Sequence, residues 1–340
     1  MQTQDIKRRI RTVRSTQQIT RAMKFVAAAK LRRAQERMLA MRPYANAIDV
    51  LIKHVAEDLV GDEHPLLSPR RSVRRIAHVL IAGDRGLCGG FNATLFRAMD
   101  EYCRNRGGVE HVFFAVGRRT MSYLSRSGRK MIVAYHDVFE KLSFVMAGDI
   151  CDRLAAMFSE GDGRRLDEAY VVYNEFASML TQRPVIRRIL PIDLRELGRK
   201  HPGETGGGPD GSEGGSVLEE IVLDEEPDDI FDIGDAEDEL ADQQAEIEAR
   251  VGVKAIRPIY TLQPEPVLAM EKLMARRMAA EIYRAMLDSY AAELSARMTA
   301  MDNATANAEE MISSLTLELN RARQTGITME LLDIIGGANA

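Results

Sequence analysis

A glycine-rich run, GDRGLCGG at residues 83–90, is the segment whose composition most suggests ligand chemistry. It lies between a predicted strand and a predicted helix, where backbone N–H groups can bind phosphate. The phosphate-loop pattern GxxxxGKS/T fails because Phe91 follows Gly90, and the dinucleotide pattern GxGxxG fails because position 85 is arginine. We therefore predict a structural tight turn, with anion binding as the alternative, at Gly86, Gly89 and Gly90.

Nucleophilic or metal chemistry would have to come from the cysteines and histidines. Cys88 lies near a predicted helix N-terminus, which can lower the pKa of a thiol, but no histidine is close in sequence to act as its base. The three cysteines form no CxxC pair and no zinc-ligand spacing, and their odd, sparse number favours a reducing compartment. The histidines are scattered, at His54, His64, His78, His111, His136 and His201. The sequence therefore predicts no catalytic residue, no cofactor site and no metal site.

The net charge of −5 hides two blocks of opposite sign. Residues 203–248 contain 18 acidic side chains and no lysine or arginine, whereas residues 1–57 contain 13 basic and 4 acidic side chains. The acidic block follows a run rich in glycine and proline, so we predict a flexible insertion over residues 198–253. The basic block has only two aromatic residues, Phe25 and Tyr44, which disfavours nucleic-acid binding.

Membrane insertion is not predicted. The basic residues at the N-terminus are not followed by an apolar run, which argues against a secretory signal. No stretch reaches the ~18 apolar residues that a membrane-spanning helix needs. Association with a membrane would therefore have to occur through partner proteins.

Residues 73–195 predict an α/β domain. Apolar, β-branched runs predict five strands, at residues 75–83, 110–117, 130–136, 168–176 and 184–192. The intervening segments predict three helices, at residues 92–105, 118–126 and 143–159. Strands separated by helices favour a Rossmann-like, mostly parallel sheet with helices on its faces.

The N-terminal segment, residues 1–60, predicts one long helix over residues 4–57 with Asp5 as its N-cap. Steps of four and three residues from Ile6 give a row in which eight of eleven side chains are apolar. Its members are Ile6, Ile10, Val13, Gln17, Thr20, Lys24, Ala27, Leu31, Ala34, Met38 and Met41. That spacing is typical of a coiled-coil seam. Pro43 is expected to kink the helix or to end its first section.

The C-terminal segment, residues 254–340, predicts a second long helix over residues 267–335. Nine apolar residues recur at intervals of seven: Leu273, Ala280, Leu287, Leu294, Met301, Ala308, Leu315, Ala322 and Met329. A sustained seven-residue repeat predicts a left-handed supercoil with another long helix. We therefore expect an α/β fold with long helices, in which the two terminal segments pair as an antiparallel coiled coil.

Six segments together resemble signature sequences of the gamma subunit of rotary ATP synthases. Four lie towards the N-terminus: residues 6–11 (IKRRIR), 16–24 (TQQITRAMK), 26–31 (VAAAKL) and 84–92 (DRGLCGGFN). Two lie near the C-terminus: residues 296–305 (ARMTAMDNAT) and 320–328 (NRARQTGIT). They stand in the family's order at both ends of the chain, so the resemblance, which covers residues 3–195 and 256–338, is more specific than any single motif.

The resemblance implies a non-catalytic rotor. In that family the paired terminal helices form a shaft inside a ring of alternating alpha and beta subunits, and the sheet domain lies near the epsilon subunit and the membrane ring of c subunits. Proton flow turns the shaft, which drives the catalytic sites of the ring through ATP synthesis. The resemblance implies a peripheral membrane protein at the cytoplasmic face of the bacterial inner membrane. It also implies contacts to the alpha/beta ring at Met23, which would be exposed, and at Lys24, Arg323, Gln324 and Thr328.

Some features depart from that family pattern. Ala306 stands where relatives usually carry aspartate, and Gly326 stands where a helix former is usual. The insertion at residues 198–253 has no cysteine, which excludes the thiol switch of some photosynthetic relatives. From the residues alone, two other functions stay open: a coiled-coil scaffold unrelated to rotation, and a nucleotide-binding α/β enzyme.

Overall fold

The computed structural model describes residues 3–58, 66–67, 70, 72–159, 165–192 and 266–338. The acidic insertion predicted at residues 198–253 lies outside the described residues. The elements are α1 (Thr3–Asp58), β1 (Arg75–Ile81), α2 (Phe91–Asn105), β2 (Glu110–Val116), α3 (Arg118–Arg126), β3 (Lys130–Tyr135), α4 (Phe144–Ser159), β4 (Glu168–Phe176), β5 (Gln182–Leu190) and α5 (Pro266–Ala338).

The five strands form one sheet in the order β3-β2-β1-β4-β5. The first four strands are parallel, with Arg75 opposite Glu110 and Ile76 opposite Glu168, while β5 runs antiparallel to β4 at the edge. The expected mostly parallel sheet is therefore present. β5 begins two residues earlier than predicted, at Gln182, so Pro184 lies inside the strand. An edge strand tolerates proline, which has no N–H to donate.

Helices cover both faces of the sheet. Leu95 and Met99 of α2 form a buried cluster with Leu80 of β1 and Val172 of β4. The next residue of β4, Tyr173, points to the opposite face, where the charged groups of α5 lie. Every residue of β1 is buried, as expected for a central strand covered on both sides.

The two long helices, of 56 and 73 residues, contact each other in antiparallel order. The hydroxyls of Thr20 and Thr305 lie 2.8 Å apart, and the next contact pairs Lys24 with Asp302 at 2.7 Å. Further along, Leu31, Ala34, Ala291 and Leu294 form a buried apolar cluster. Residue numbers rise along α1 as they fall along α5, which fixes the direction.

The row predicted on α1 faces inward, since all eleven of its residues are buried or half-buried. Three details differ from expectation. α1 does not end at Pro43, which was one of the two expected outcomes, but continues to Asp58; beyond the proline Arg277 of α5 pairs with Asp49 at 2.8 Å. Asp5 lies in the first turn of α1 instead of capping it, because the helix already includes Thr3. α5 runs through Gly326, as predicted, but ends three residues later than predicted, at Ala338.

Met329 is the one exposed member of the row predicted on α5, with 63% of its surface accessible. The contact pairs Thr20–Thr305 and Lys24–Asp302 imply that Ala322 lies level with the first described residues of α1. Met329 lies two further turns along α5. No described residue of α1 lies opposite it, so the seven-residue repeat continues past the end of the paired region.

Candidate functional site

The glycine-rich run connects β1 to α2 in a compact turn. Leu87 and Gly89 adopt left-handed backbone angles, with φ of 63° and 56°, and the side chain of Asn92 accepts the N–H of Gly83 at 3.0 Å. Gly90 precedes α2 with an ordinary φ of −81°. At Gly86 an added Cβ would lie 2.6 Å from the Arg119 guanidinium.

Asp84 joins the glycine-rich turn to two neighbouring segments of the α/β domain. One carboxylate oxygen accepts the N–H groups of Arg118, at 3.0 Å, and of Asp137, at 3.1 Å. The other oxygen accepts the N–H of Phe139 at 3.3 Å. These donors include the start of α3, the kind of helix N-terminus that binds anions. The Asp84 carboxylate therefore fixes the turn against the start of α3 and the loop after β3.

Cys88 is buried beneath the turn and does not have the properties of a nucleophile. Burial, followed by the nearby Glu293 carboxylate, raises the pKa of its thiol. The lowered pKa considered from the sequence is therefore wrong, because removal from water outweighs the helix N-terminus. Asn92 donates to its sulfur at 3.3 Å, which makes the thiol part of the turn's internal packing.

The long helix α5 contacts this turn through a buried ion pair. Arg297 donates to the Glu293 carboxylate at 2.5 Å and to the carbonyl oxygen of Gly86 at 3.4 Å. Glu293 is 3% exposed, and its carboxylate lies 2.7 Å from the Cβ position of Gly83, so glycine is required there. Burial raises the pKa of Glu293, and Arg297 partly offsets that rise.

Further polar contacts join the same helix to the sheet. Ser289 donates to the carbonyl oxygen of Ile81 at 3.3 Å, and Ser295 donates to that of Met179 at 2.5 Å. An ion pair of 2.7 Å links Arg187 of β5 to Glu281. We call this set of α5 contacts, from Glu281 to Arg297, the junction, because it fastens the long helix to the sheet.

Asp288 is a buried carboxyl group in the junction, with 4% of its surface accessible. Burial raises its pKa to about 7, against the opposing effect of the Arg284 charge. Below its ordinary pKa of 3.8 the group is protonated whether the chain is folded or unfolded. Between that value and about 7 only the unfolded chain ionises, so Asp288 destabilises the fold progressively as the pH rises.

We expect Asp288→Asn to have the stability of the wild type near pH 4 and to become more stable as the pH rises to 7. The gain should approach about 1.4 kcal/mol per pH unit at most, because one proton is involved. Urea unfolding of both chains at several pH values measures it. The exposed Asp152→Asn is the matched control and should show no such divergence. A pH-independent difference for Asp288→Asn would contradict this explanation.

The structure places the five expected contact residues at two separate levels. Met23 is half-buried, and Lys24 pairs with Asp302 across the two helices. Arg323 and Thr328 are exposed on α5, as is Gln324, whose carbonyl oxygen accepts the Thr328 hydroxyl at 2.9 Å. The two groups lie ~30 Å apart along the helices, at about 1.5 Å per residue.

Exposed apolar side chains, which the sequence reading did not single out, flank both levels. On α1 these are Ile19, Phe25 and Val26, each more than half exposed. On α5 they include Leu317 and Met329. Most of them could have been found from the sequence, because they are apolar residues outside the inward row. A contiguous group of such residues on a long helix is typical of a surface that contacts another protein.

None of the helices in the described part of the chain combines the length and the apolar character required to cross a membrane.

Comparisons with known proteins agree with this architecture. A family model described as ATP synthase matches residues 2–340. The ATP synthase gamma chain of Heliobacterium modesticaldum is 37% identical over 336 residues, covering 99% of this chain and 98% of the relative. The gamma chain of Chlorobaculum tepidum is 35% identical over 343 residues, covering 99% and 97%.

Solved structures show the same fold. A chain of the Euglena gracilis mitochondrial ATP synthase, from a structure of OSCP, F1 and the c-ring, superposes with a TM-score of 0.58 at 17% identity, covering 99% of this chain and 93% of that one. A rotor chain from the same organism gives 0.55 at 16% identity, covering 96% and 98%. With near-complete coverage of relatives more than 30% identical, the chain belongs to the family of ATP synthase gamma chains.

Proposed function

We propose that this chain is the central-stalk rotor of a rotary ATP synthase and is itself non-catalytic. It couples transmembrane proton flow to conformational change in the catalytic ring of alpha and beta subunits. The main support for this function is that the chain belongs to the family of ATP synthase gamma chains. The supporting observation in the molecule is the pair of antiparallel helices fastened to a sheet by the junction, where Ser289 donates to the Ile81 carbonyl and Arg297 to the Gly86 carbonyl.

The paired helices, which we call the shaft, supply what torque transmission needs. At about 1.5 Å per residue, α1 spans ~84 Å and α5 ~110 Å, far longer than helices of globular domains. We infer that they wind into a left-handed coiled coil. The alternating four- and three-residue spacing of the buried and half-buried positions between Met301 and Ala322 supports this. A two-stranded coil resists twisting better than a single helix.

The junction is the place where torque would pass between the sheet and the shaft. Buried and part-buried polar contacts from Ser289, Ser295 and Arg297 of α5 to the sheet and its loops would resist turning of the helix relative to the sheet. The sheet would then move with the shaft as one body. We propose that the sheet domain meets the epsilon subunit and the c-ring, as the family's architecture implies.

The proposed contacts to the alpha/beta ring are Met23, Lys24, Arg323, Gln324 and Thr328, at two levels of the shaft. The neighbouring exposed apolar side chains, Phe25 and Val26 among them, would add to these surfaces. Exposed polar contacts of this kind contribute only ~0–1 kcal/mol each, which lets the shaft turn without being held at one angle. We place the protein at the cytoplasmic face of the bacterial inner membrane, bound through its partners.

The nucleotide-binding alternative is disfavoured because the glycine-rich turn matches neither phosphate-loop pattern. The turn also includes Asp84, whose carboxylate accepts the N–H groups of Arg118 and Asp137. A nucleotide phosphate bound at this turn would meet the negative charge of that carboxylate. A scaffold unrelated to rotation does not account for the family membership.

A disulfide across the shaft tests the rotor function. Thr20 and Thr305 have side-chain oxygens 2.8 Å apart, close to the ~2.0 Å sulfur–sulfur distance of a disulfide. A chain carrying Thr20→Cys and Thr305→Cys should cross-link on oxidation. Assembled with alpha and beta subunits, it should keep ATPase activity and ATP-driven rotation within about twofold, since both helices move together.

The matched control is Thr12→Cys with Thr305→Cys, because Thr12 lies ~12 Å further along α1 and should not cross-link. An alpha–beta ring without the chain should show no rotation-coupled activity. If the ring's activity does not depend on this chain, the rotor function is excluded. If the cross-link stops rotation, the helices must move against each other, and the rigid shaft is wrong.

A further inference from the structure

Two imidazoles and a thiol meet at one end of the sheet, on the face covered by α2. They belong to His78 of β1, His111 of β2 and Cys103 near the end of α2. One ligand atom from each lies within 4.8 Å of the other two. Imidazole nitrogen and thiolate sulfur are the ligands that zinc prefers in proteins. We propose that these three side chains bind a zinc ion, with water as the fourth ligand.

The fold explains why these residues meet although they are far apart in the sequence. In the parallel register His78 lies opposite Phe113, and His111 is two residues earlier in the neighbouring strand, so both rings face α2. On α2, Leu95, Met99 and Cys103 follow one another at four-residue intervals and lie along one side of the helix. The apolar row that covers the sheet therefore ends in a thiol above two imidazoles.

The hydrogen bonds around His111 orient it as a metal ligand. Its Nε2 lies 3.3 Å from the carbonyl oxygen of Arg106. A carbonyl oxygen only accepts, so Nε2 carries the proton and Nδ1 keeps a lone pair. Histidine ligands of metals usually donate their second nitrogen to a carbonyl in this way.

His78 provides the second nitrogen. Its Nε2 lies 2.9 Å from His111 Nδ1, so a zinc ion would replace the proton that these nitrogens share. Tetrahedral zinc at ~2.0–2.1 Å from each would need a nitrogen–nitrogen separation of ~3.3 Å, a small outward movement. The Nδ1 of this fully buried ring has no hydrogen-bond partner among the described residues. With zinc on Nε2, this Nδ1 would carry the proton of the ring, so the metal itself would not supply it with a partner.

The surrounding charges are compensated. Arg106 pairs with Glu168 at 2.7 Å, and Arg129 pairs with Asp100 at 2.5 Å, so neither guanidinium stands as an isolated positive charge near the site. Arg129 also donates to the Cys103 sulfur at 3.2 Å. A hydrogen bond of this kind to a metal-bound thiolate is typical of a protein metal site.

Cobalt(II) tests the site, because it substitutes for zinc and absorbs through a charge-transfer band when a thiolate is bound. Titration of the full-length chain should produce this band with one equivalent of Co²⁺, and Zn²⁺ should abolish it. Cys103→Ser should lack the band. The matched controls Cys88→Ser and Cys151→Ser, which remove the other two thiols, should keep it.

His111→Gln provides a second variant, chosen because His111 is half-buried and tolerates substitution better than the fully buried His78. It should weaken Zn²⁺ binding more than ~100-fold, beyond the usual effect of losing an outer-shell partner. Circular dichroism verifies that each variant is folded. Absence of the band in the wild type, its persistence in Cys103→Ser, or unchanged Zn²⁺ affinity in His111→Gln would each overturn the proposal.

Discussion

Arg297→Met is expected to lower the free energy of unfolding by about 3–5 kcal/mol, the usual cost of leaving a buried charge without its partner. Arg297 and Glu293 have side chains only 14% and 3% exposed. Methionine retains most of the volume but removes the charge and the hydrogen bond to Gly86. The Glu293 carboxylate would then remain buried in the junction without the cation that donates to it. Urea unfolding of the full-length chain at neutral pH measures the loss.

Arg153→Met is the matched control, because it breaks an arginine–carboxylate pair with the same four-residue spacing and order on a helix. The pair joins Arg153 to Asp149 at 3.0 Å, but both side chains are about half exposed, at 52% and 46%. Water solvates the remaining Asp149 carboxylate after the substitution, so the free energy of unfolding should change by no more than ~0.5 kcal/mol. Equal effects of the two substitutions would show that burial at the junction does not matter.

The loss in Arg297→Met should also depend on pH in a defined direction. Burial already raises the pKa of Glu293, and removal of the arginine raises it further. A carboxyl group with a raised folded-state pKa destabilises the fold as the pH increases, because the unfolded chain releases its proton first. The difference between variant and wild type should therefore shrink as the pH falls towards the ordinary pKa of glutamate. In assembled complexes, a loosened junction should reduce coupled ATP synthesis more than ATP hydrolysis.

Gly117→Ala is the second substitution with a large expected effect. Gly117 lies between β2 and α3 with φ of 98°, and an added Cβ would lie 2.0 Å from the carbonyl oxygen of Ala82. The obstacle is the backbone directly after the central strand β1, where the N–H of Ala82 donates to the carbonyl oxygen of Val116 at 3.0 Å, so it cannot move without disturbing the sheet. Backbone strain of about 1–3 kcal/mol and overpacking of similar size add up to a loss of about 2–6 kcal/mol. Urea unfolding measures this loss.

Gly128→Ala separates the two causes of that loss. Gly128 also has a positive φ, of 64°, but no atom lies within 4 Å of its Cβ position. Only the preference of alanine for negative φ opposes the substitution there, so the expected loss of stability is about 1–2 kcal/mol. If both alanine variants lose the same stability, the contact with Ala82 is not the main constraint at Gly117.

Much of the architecture could be predicted from the sequence, because it depends on local periodicity. The spacing of Ile6, Thr20 and Leu31 marks the buried side of α1, since a helix repeats every 3.6 residues whatever lies opposite. The strands of the sheet follow from apolar runs separated by helical segments, which in turn favour parallel pairing. The glycine-rich turn could be recognised as unlike a phosphate loop from the identity of two residues.

Only the tertiary structure decided which of several similar groups contribute strongly to the free energy of unfolding. Glu293–Arg297 and Asp149–Arg153 have the same spacing, yet only the first pair is buried, because the turn after β1 covers it. Gly117 matters because the backbone that follows β1, at Ala82, passes against its α-carbon. Burial, and with it the raised pKa of Glu293, depends on neighbours far away in the chain. Local sequence patterns do not encode those neighbours, so these properties emerge only when the helices and the sheet are packed together.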